Sequence, residues 1–393
     1  MFLLKYWRGY LVAVIIGAIT CALILFANAN HELVDMVAPY MTRLVVSYLA
    51  DWSAGTSVCL WQAFLLLLGA GLLAGIVLMI VLRWNPVQFT GWVLAAVSAL
   101  GFLHTALYGL NYYAGSIADD IQLTVAECTV SELNDAAKYF QTKANELAVL
   151  VERDEEGKPV YPEFEELAVQ AAEGFKVLTY ERSKSVFAGS TAPVKKLGWS
   201  KMYTAMGVTG ITVSMTGEAA VNPNAHPIGL PFIMCRQMAN RMSIVADDDA
   251  NFAAFLACEA NSSVAFKYSA YFMAYRYCYR ALAADTTSTA TACISELNAS
   301  ISPLLSQDMA DYTEFYSNQK TASSSGIGDQ VNNFYMKLSD KEPCMESYVA
   351  VTDLLVSWHI QEFVLPMHED DEVIFDPLDE TQVKIPGLAT PSK

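Results

Sequence analysis

Arg236, Gln237 and Asn240 lie in the stretch Pro231-Phe232-Ile233-Met234-Cys235-Arg236-Gln237-Met238-Ala239-Asn240, at the i, i+1, i+4 spacing of a helical zinc centre. In the working version, H-E-x-x-H, two His one helical turn apart hold the ion and the Glu between them activates a bound water. The side chains present here do not perform that chemistry. A guanidinium keeps its proton and does not ligate a cation. Gln has the shape of Glu but takes no proton from water, and Asn is a poor zinc ligand. Nine positions further on, Asp249 in Asp247-Asp248-Asp249-Ala250-Asn251-Phe252 is still acidic. The expectation is a site frame with no catalytic residue, no metal and no cofactor.

The elements that must position this stretch begin in a membrane. Of 393 residues, 54% are apolar, which exceeds the share usual in soluble chains, and the excess sits in three runs near the N-terminus. The runs cover about 10–28, 59–82 and 89–110, each near the roughly 20 residues that a helix needs to cross a bilayer. None has a charged side chain in its interior. The first is too long for the apolar part of a secretory signal and is read as a retained anchor. Lys5, Arg8 and Arg83 flank the spans on one side, whereas the loop expected over 31–56 carries Glu32, Asp35 and Asp51 against Arg43. The positive-inside tendency then puts the N-terminus in the cytoplasm and everything after about Asn111 outside.

That outer part carries nearly all of the net charge of -17, which repels phosphate backbones and excludes a nucleic-acid partner. The eight Cys include no C-x-x-C pair, so neither a zinc knuckle nor a thioredoxin-like redox site is indicated. An oxidising exterior would permit a Cys278–Cys293 bridge, while Cys235 and Cys258 read as buried thiols.

Helical periodicity runs from Val130 to about Glu152 and again from about Pro162 to Arg182, and the two segments are expected to pair as a hairpin within 112–190. The Gly-punctuated, β-branched stretch Gly207 to Met215 favours strand. A Pro-bounded turn then leads into the helix that carries Arg236, and the remainder to about residue 365 is mainly helical. The Tyr268, Tyr271, Tyr275, Tyr279 series has the spacing of a packed helix face. His104 reads as a polar side chain near the membrane surface, because no span supplies it with an acidic partner. Residues 366–393 form an acidic, Pro-containing tail.

Lys195-Lys196, Thr216-Gly217-Glu218-Ala219-x-Val221-Asn222, Pro231-Phe232, Met238-Ala239, Asp249-Ala250-Asn251-Phe252 and Leu256-Ala257-Cys258, with Asn333-Phe334-Tyr335-Met336-Lys337 and Ser347-Tyr348, together resemble a family of bacterial membrane proteins of unknown function. That family has three N-terminal spans and an H-E-x-x-H domain of the gluzincin type. The resemblance implies a mainly α protein with three transmembrane helices (1–111) and an α+β zincin-like extracytoplasmic domain with a small sheet, whose degenerate metallopeptidase-like part covers 191–365. It also implies His, Glu and His at 236, 237 and 240 and a third acidic ligand at 249. This chain departs from the first three, and at 249 it keeps an acid, Asp249, one methylene shorter than Glu.

Charge suggests what replaces the ion. Arg236 is expected to pair with Asp249, or with Asp247 in a shifted register; the alternative turns Arg236 to solvent and leaves Asp249 in the first turn of its helix. Glu218, with Gly217 and Asn222, is expected on an edge strand where an extended peptide lies alongside. The alternative has Glu218 bound to Lys195, Lys196 or Arg241. The expected partners are a lipid bilayer and an extracytoplasmic peptide, an envelope component or a partner membrane protein. Two rival readings are an active membrane-bound hydrolase in which Asp247, Asp248 and Asp249 gather a hard cation, and a structural subunit of a membrane assembly. The latter would draw on close helix approach at Gly69-Ala70-Gly71 and Ala74-Gly75.

Overall fold

The computed structural model describes residues 2–181, 185–320 and 347–365. The segment 333–337 and the tail from 366 lie outside them. Four helices near the N-terminus are long and apolar enough to cross a membrane: α1 (Phe2–Ala29), α2 (His31–Ser53), α3 (Leu60–Val81) and α4 (Pro86–Leu107). α1 and α4 lie side by side and point the same way. Near their N-terminal ends, a Cβ on Gly9 would fall 2.4 Å from the Gly91 carbonyl carbon, and Tyr10 Oη is 2.6 Å from Thr90 Oγ1. At the opposite ends, Ile24 and Ala27 pack with Leu110 and Tyr113, just past α4. α3 connects to α4 by a tight turn in which Arg83 adopts φ 51 and Asn85 caps α4, accepting from Val87 N at 2.9 Å. Of the small residues singled out in α3, Gly75 packs against Phe89 of α4, where a Cβ would fall 2.8 Å from the ring, whereas nothing lies within 4 Å of a Cβ at Gly69 or Gly71.

The segment read as a loop over 31–56 is helical from His31 to Ser53, which corrects that expectation. Its acidic and basic residues suggested exposed loop, yet they serve as docking groups. Asp35 accepts from Gly115 N at 2.8 Å, Arg43 donates to Val186 O at 3.0 Å, and Asp51 accepts from Ser190 Oγ at 2.7 Å. Val34, Ala38, Thr42, Val46 and Ala50, four residues apart, form the buried ridge of α2. Small side chains along that ridge let the helix lie close on the domain that follows.

The domain that follows the apolar helices is mainly helical with one small sheet. Its hairpin consists of β2 (Gly210–Val213) and β3 (Glu218–Val221), paired antiparallel, with β1 (Lys195–Lys196) parallel to β3 on the other side, so the order is β1-β3-β2. The helices include α5 (Ile117–Asp120), α6 (Val130–Ala148), α7 (Phe164–Glu181), α8 (Ser200–Ala205), α9 (Leu230–Arg241), α10 (Asp247–Glu259), α11 (Val264–Ala284), α12 (Ser288–Ser300), α13 (Pro303–Lys320) and α14 (Ser347–His359). A Thr129 and Glu132 capping box starts α6. The expected α6–α7 hairpin is replaced by other pairings, with α6 along α11 and α7 against α9 and α10. The close fit that sets this is local: a Cβ on Gly174 of α7 would fall 1.8 Å from the Ala257 carbonyl oxygen of α10. Phe140 of α6 meets Phe255, Tyr271 and Trp358 in one apolar core that also encloses Tyr268 and Tyr275. The seven described Cys are free thiols, including Cys278 and Cys293, and Cys235 and Cys258 are buried.

Candidate functional site

Pro231 in the first turn starts α9, which packs against β2 and β3 with nearly every side chain buried. Gln237 faces β2. Gly210 makes room for it, because a Cβ there would lie 2.7 Å from Gln237 Cγ, and the Thr212 hydroxyl donates to Gln237 Oε1 at 2.9 Å. One residue back, Arg236 Nη2 reaches Asp247 Oδ1 at 2.5 Å. Burial alone would lower the Arg236 pKa, but Asp247, with the phenols of Tyr277 and Tyr108, outweighs it and raises the value, so the guanidinium is a fixed cation. Tyr108 follows directly on α4, so this pair sits where the fourth apolar helix enters the domain.

Asn240 is buried one turn beyond Arg236. Its Oδ1 and Arg236 Nε lack hydrogen-bond partners. Arg241, also buried, donates to Ser190 O at 2.9 Å and Ala192 O at 2.6 Å, and burial lowers its pKa to about 10, which keeps it charged at neutral pH.

Of the two carboxylates weighed as partners for Arg236, the fold uses Asp247 and turns Asp249 elsewhere. Two residues on a helix are about 200° apart. Asp249 therefore faces the 114–121 segment, where its Oδ1 accepts from Ser116 Oγ at 2.6 Å and from Ile117 N at 3.3 Å. Among the described residues no group of three or more His, Cys, Asp or Glu could hold a metal ion. The described His are also dispersed: His226 packs on Tyr312 and Phe315, and His359 on Tyr139 and Phe363. Burial drives the pKa of His226 down to about 4.

Asp247→Ala is expected to cost about 1–3 kcal/mol, less than a fully buried pair because a quarter of the Arg236 side chain is exposed. Thermal melts in detergent should show that cost shrinking in an Arg236→Met background. Equal costs in both backgrounds would show that the pair carries no coupling.

Glu218 lies on the central strand of the sheet, not at the edge expected for it. Its carboxylate is fully engaged inside the protein. Oε1 accepts from Leu60 N at 2.7 Å and Oε2 from Trp61 N at 2.8 Å, which caps the N-terminus of α3. Lys195 Nζ donates to Glu218 Oε1 at 2.7 Å, to Ser53 O at 2.8 Å and to Val58 O at 3.1 Å. The carboxylate thus meets the positive end of one helix dipole and the ammonium the negative end of another. Gly217 adopts φ 68 against α2, and Asn222 Nδ2 donates to Thr204 Oγ1 at 2.9 Å and Val208 O at 3.1 Å. Lys195 was among the partners weighed for Glu218 from sequence, but the two helix ends were not, because no local pattern links residue 60 to residue 218.

No curated protein and no solved structure matches the chain. A family model does match, over residues 40–356, starting inside α2 and ending inside α14. The match takes in the Lys195–Glu218 clamp and the whole of α9, and on its extent the chain belongs to the family described as Protein of unknown function (DUF3810).

Proposed function

We propose that the chain is a multi-pass protein of a bacterial cell membrane whose outer domain is a catalytically silent metallopeptidase-like scaffold. It crosses the bilayer three times, through α1, α3 and α4, with the N-terminus in the cytoplasm and the domain outside. The parallel course of α1 and α4 and the return of α3 between them support three crossings. The domain holds a peptide, an envelope component or a partner membrane protein without cutting it. β2 is a half-buried edge strand of the sheet and the strand to which an extended segment would add.

The observation that carries this reading is the Arg236–Asp247 ion pair, because it puts a permanent cation where the frame needs its first metal ligand. Gln237 supplies no base beside it. Metal content of the purified protein tests the reading, measured beside a variant carrying Arg236→His, Gln237→Glu, Asn240→His and Asp249→Glu. The expected result is less than a tenth of an equivalent of zinc in the natural protein and near one equivalent in the variant. Stoichiometric metal in the natural protein would overturn it and reopen hydrolysis.

A second reading, a structural subunit of a membrane assembly, draws on the internal engagement of Gly217, Glu218 and Asn222. Copurification in mild detergent separates the two. A partner retained by a variant with an altered β2 edge favours assembly through the spans, and one lost from that variant favours the groove.

A further inference from the structure

Both ends of α2 face the outer domain. Its first residues follow α1 after the single non-helical residue Asn30, beside Tyr113, and its last carbonyl, Ser53 O, is held by Lys195. Between those points the helix is fastened along its length, through Asp35 to Gly115, Pro39 O to Ser243 Oγ, Arg43 to Val186 and Ser47 to Ser190. A helix of 23 residues is about 35 Å long, enough to cross a bilayer, yet these contacts tie all of it to one domain.

The ridge opposite the docked one is apolar and faces away from the protein. Met36, Tyr40, Leu44, Tyr48 and Trp52 recur every four residues and are 57–78% exposed, and the one charged side chain on that row is Glu32, in the first turn of the helix. A stripe of this extent on a soluble surface would be an aggregation hazard. Three of its five members are Tyr or Trp, the residues enriched where a membrane meets water.

A separate segment points the same way. Trp199 is 46% exposed and adopts φ 52, a left-handed conformation that a bulky residue rarely takes. Its neighbour Gly198 is bound twice to Gln62 in the first turn of α3, with Gly198 N donating to Gln62 Oε1 at 3.0 Å and Gln62 Nε2 donating to Gly198 O at 3.1 Å. The indole is thereby held at the level where α3 leaves the domain.

We infer that α2 lies in the plane of the outer leaflet, with its Met36 to Trp52 ridge sunk into the boundary between head groups and acyl chains and Trp199 as a further anchor. The occupant of this surface is the lipid bilayer itself, continuous with the lipid around α1 and α3. The outer domain is then held face-down on the membrane, with the Arg236–Asp247 pair close to the lipid surface beside the end of α4. The inference rests on the three-crossing reading proposed above.

The test is a depth profile of the full chain in liposomes. Spin labels are placed singly at positions 36, 40, 44, 48 and 52 in a background with Cys21→Ala, Cys128→Ala and Cys344→Ala, and collision with oxygen is compared with collision with a water-soluble nickel chelate. Labels at these outward positions displace no packed side chain. The expected result is one shared shallow depth at all five positions, about 5–10 Å below the phosphates. A profile that passes through the bilayer centre near position 44 would overturn both the inference and the three-crossing reading. High nickel access at all five positions would overturn the inference and leave three crossings standing. Quenching by brominated lipids gives a label-free check: Trp52→Phe and Trp199→Phe should each remove part of the shallow-quencher signal, and no change from either would also count against the inference.

Discussion

Glu218→Gln should destabilise the protein by roughly 3–5 kcal/mol, the loss expected when one partner of a buried ion pair is removed. Both side chains of the Lys195–Glu218 pair are nearly or fully shielded from water. The amide keeps the shape of the carboxylate but loses its charge, and one of its two arms becomes a donor facing Lys195 Nζ or the backbone N–H groups of Leu60 and Trp61. Lys195 then remains a buried cation with no anion beside it, held by the carbonyls of Ser53 and Val58. The double variant Lys195→Met, Glu218→Leu removes both charges and still leaves the α3 N–H groups uncapped, which costs about 1–2 kcal/mol. Melting in detergent should therefore show the double variant more stable than Glu218→Gln alone. Additive losses would mean that the two groups do not act as one clamp.

Gly217→Ala should be nearly as damaging, at about 2–4 kcal/mol, for a steric reason. The residue sits at φ 68, where a Cβ costs roughly 1–2 kcal/mol, and that Cβ would lie 2.2 Å from Ala50 N and 2.6 Å from Val46 O. Backbone atoms of a docked helix do not move aside cheaply. The strain is expected to lift α2 from the sheet, so hydrogen exchange should quicken first over residues 42–53. Gly69→Ala and Gly71→Ala provide the contrast. Both glycines are in a helix with nothing within 4 Å of the new methyl, and each change should be neutral or stabilising by up to about 1 kcal/mol. If Gly217→Ala melts like the natural protein, the packing of α2 on β3 is wrong.

Both predictions concern residues that the sequence marks without explaining. Lys195, Gly217 and Glu218 precede the α9 stretch in the motif that carries the resemblance, and from sequence Gly217 and Glu218 suggest a groove, with Lys195 as an alternative partner for Glu218. In the fold they tie two apolar helices to a three-stranded sheet. A buried carboxylate that caps a helix 158 residues away leaves no trace in local spacing, because the partner is a pair of backbone N–H groups that any sequence supplies. Arg236 differs, since its need for a carboxylate follows from its charge, and two candidates lay within thirteen residues.

What the sequence determined alone was whatever follows from residue chemistry and local period. The apolar runs that became α1, α3 and α4 are in this class, as are the helix around Arg236, the strand character after Gly207 and the absence of zinc-ligating side chains at 236, 237 and 240. Only the tertiary structure decided that residues 31–53 dock as a helix, that α6 takes α11 for its neighbour, that Glu218 is central in the sheet, and that Arg236 meets Asp247 while Asp249 turns to Ser116. Hydrophobic burial and hydrogen bonding reward any partner of the right shape, whatever its distance along the chain. The choice among partners is made by how the elements fit, as at Gly174 against Ala257 and Gly217 against Ala50, where the absence of one methyl group lets two backbones touch.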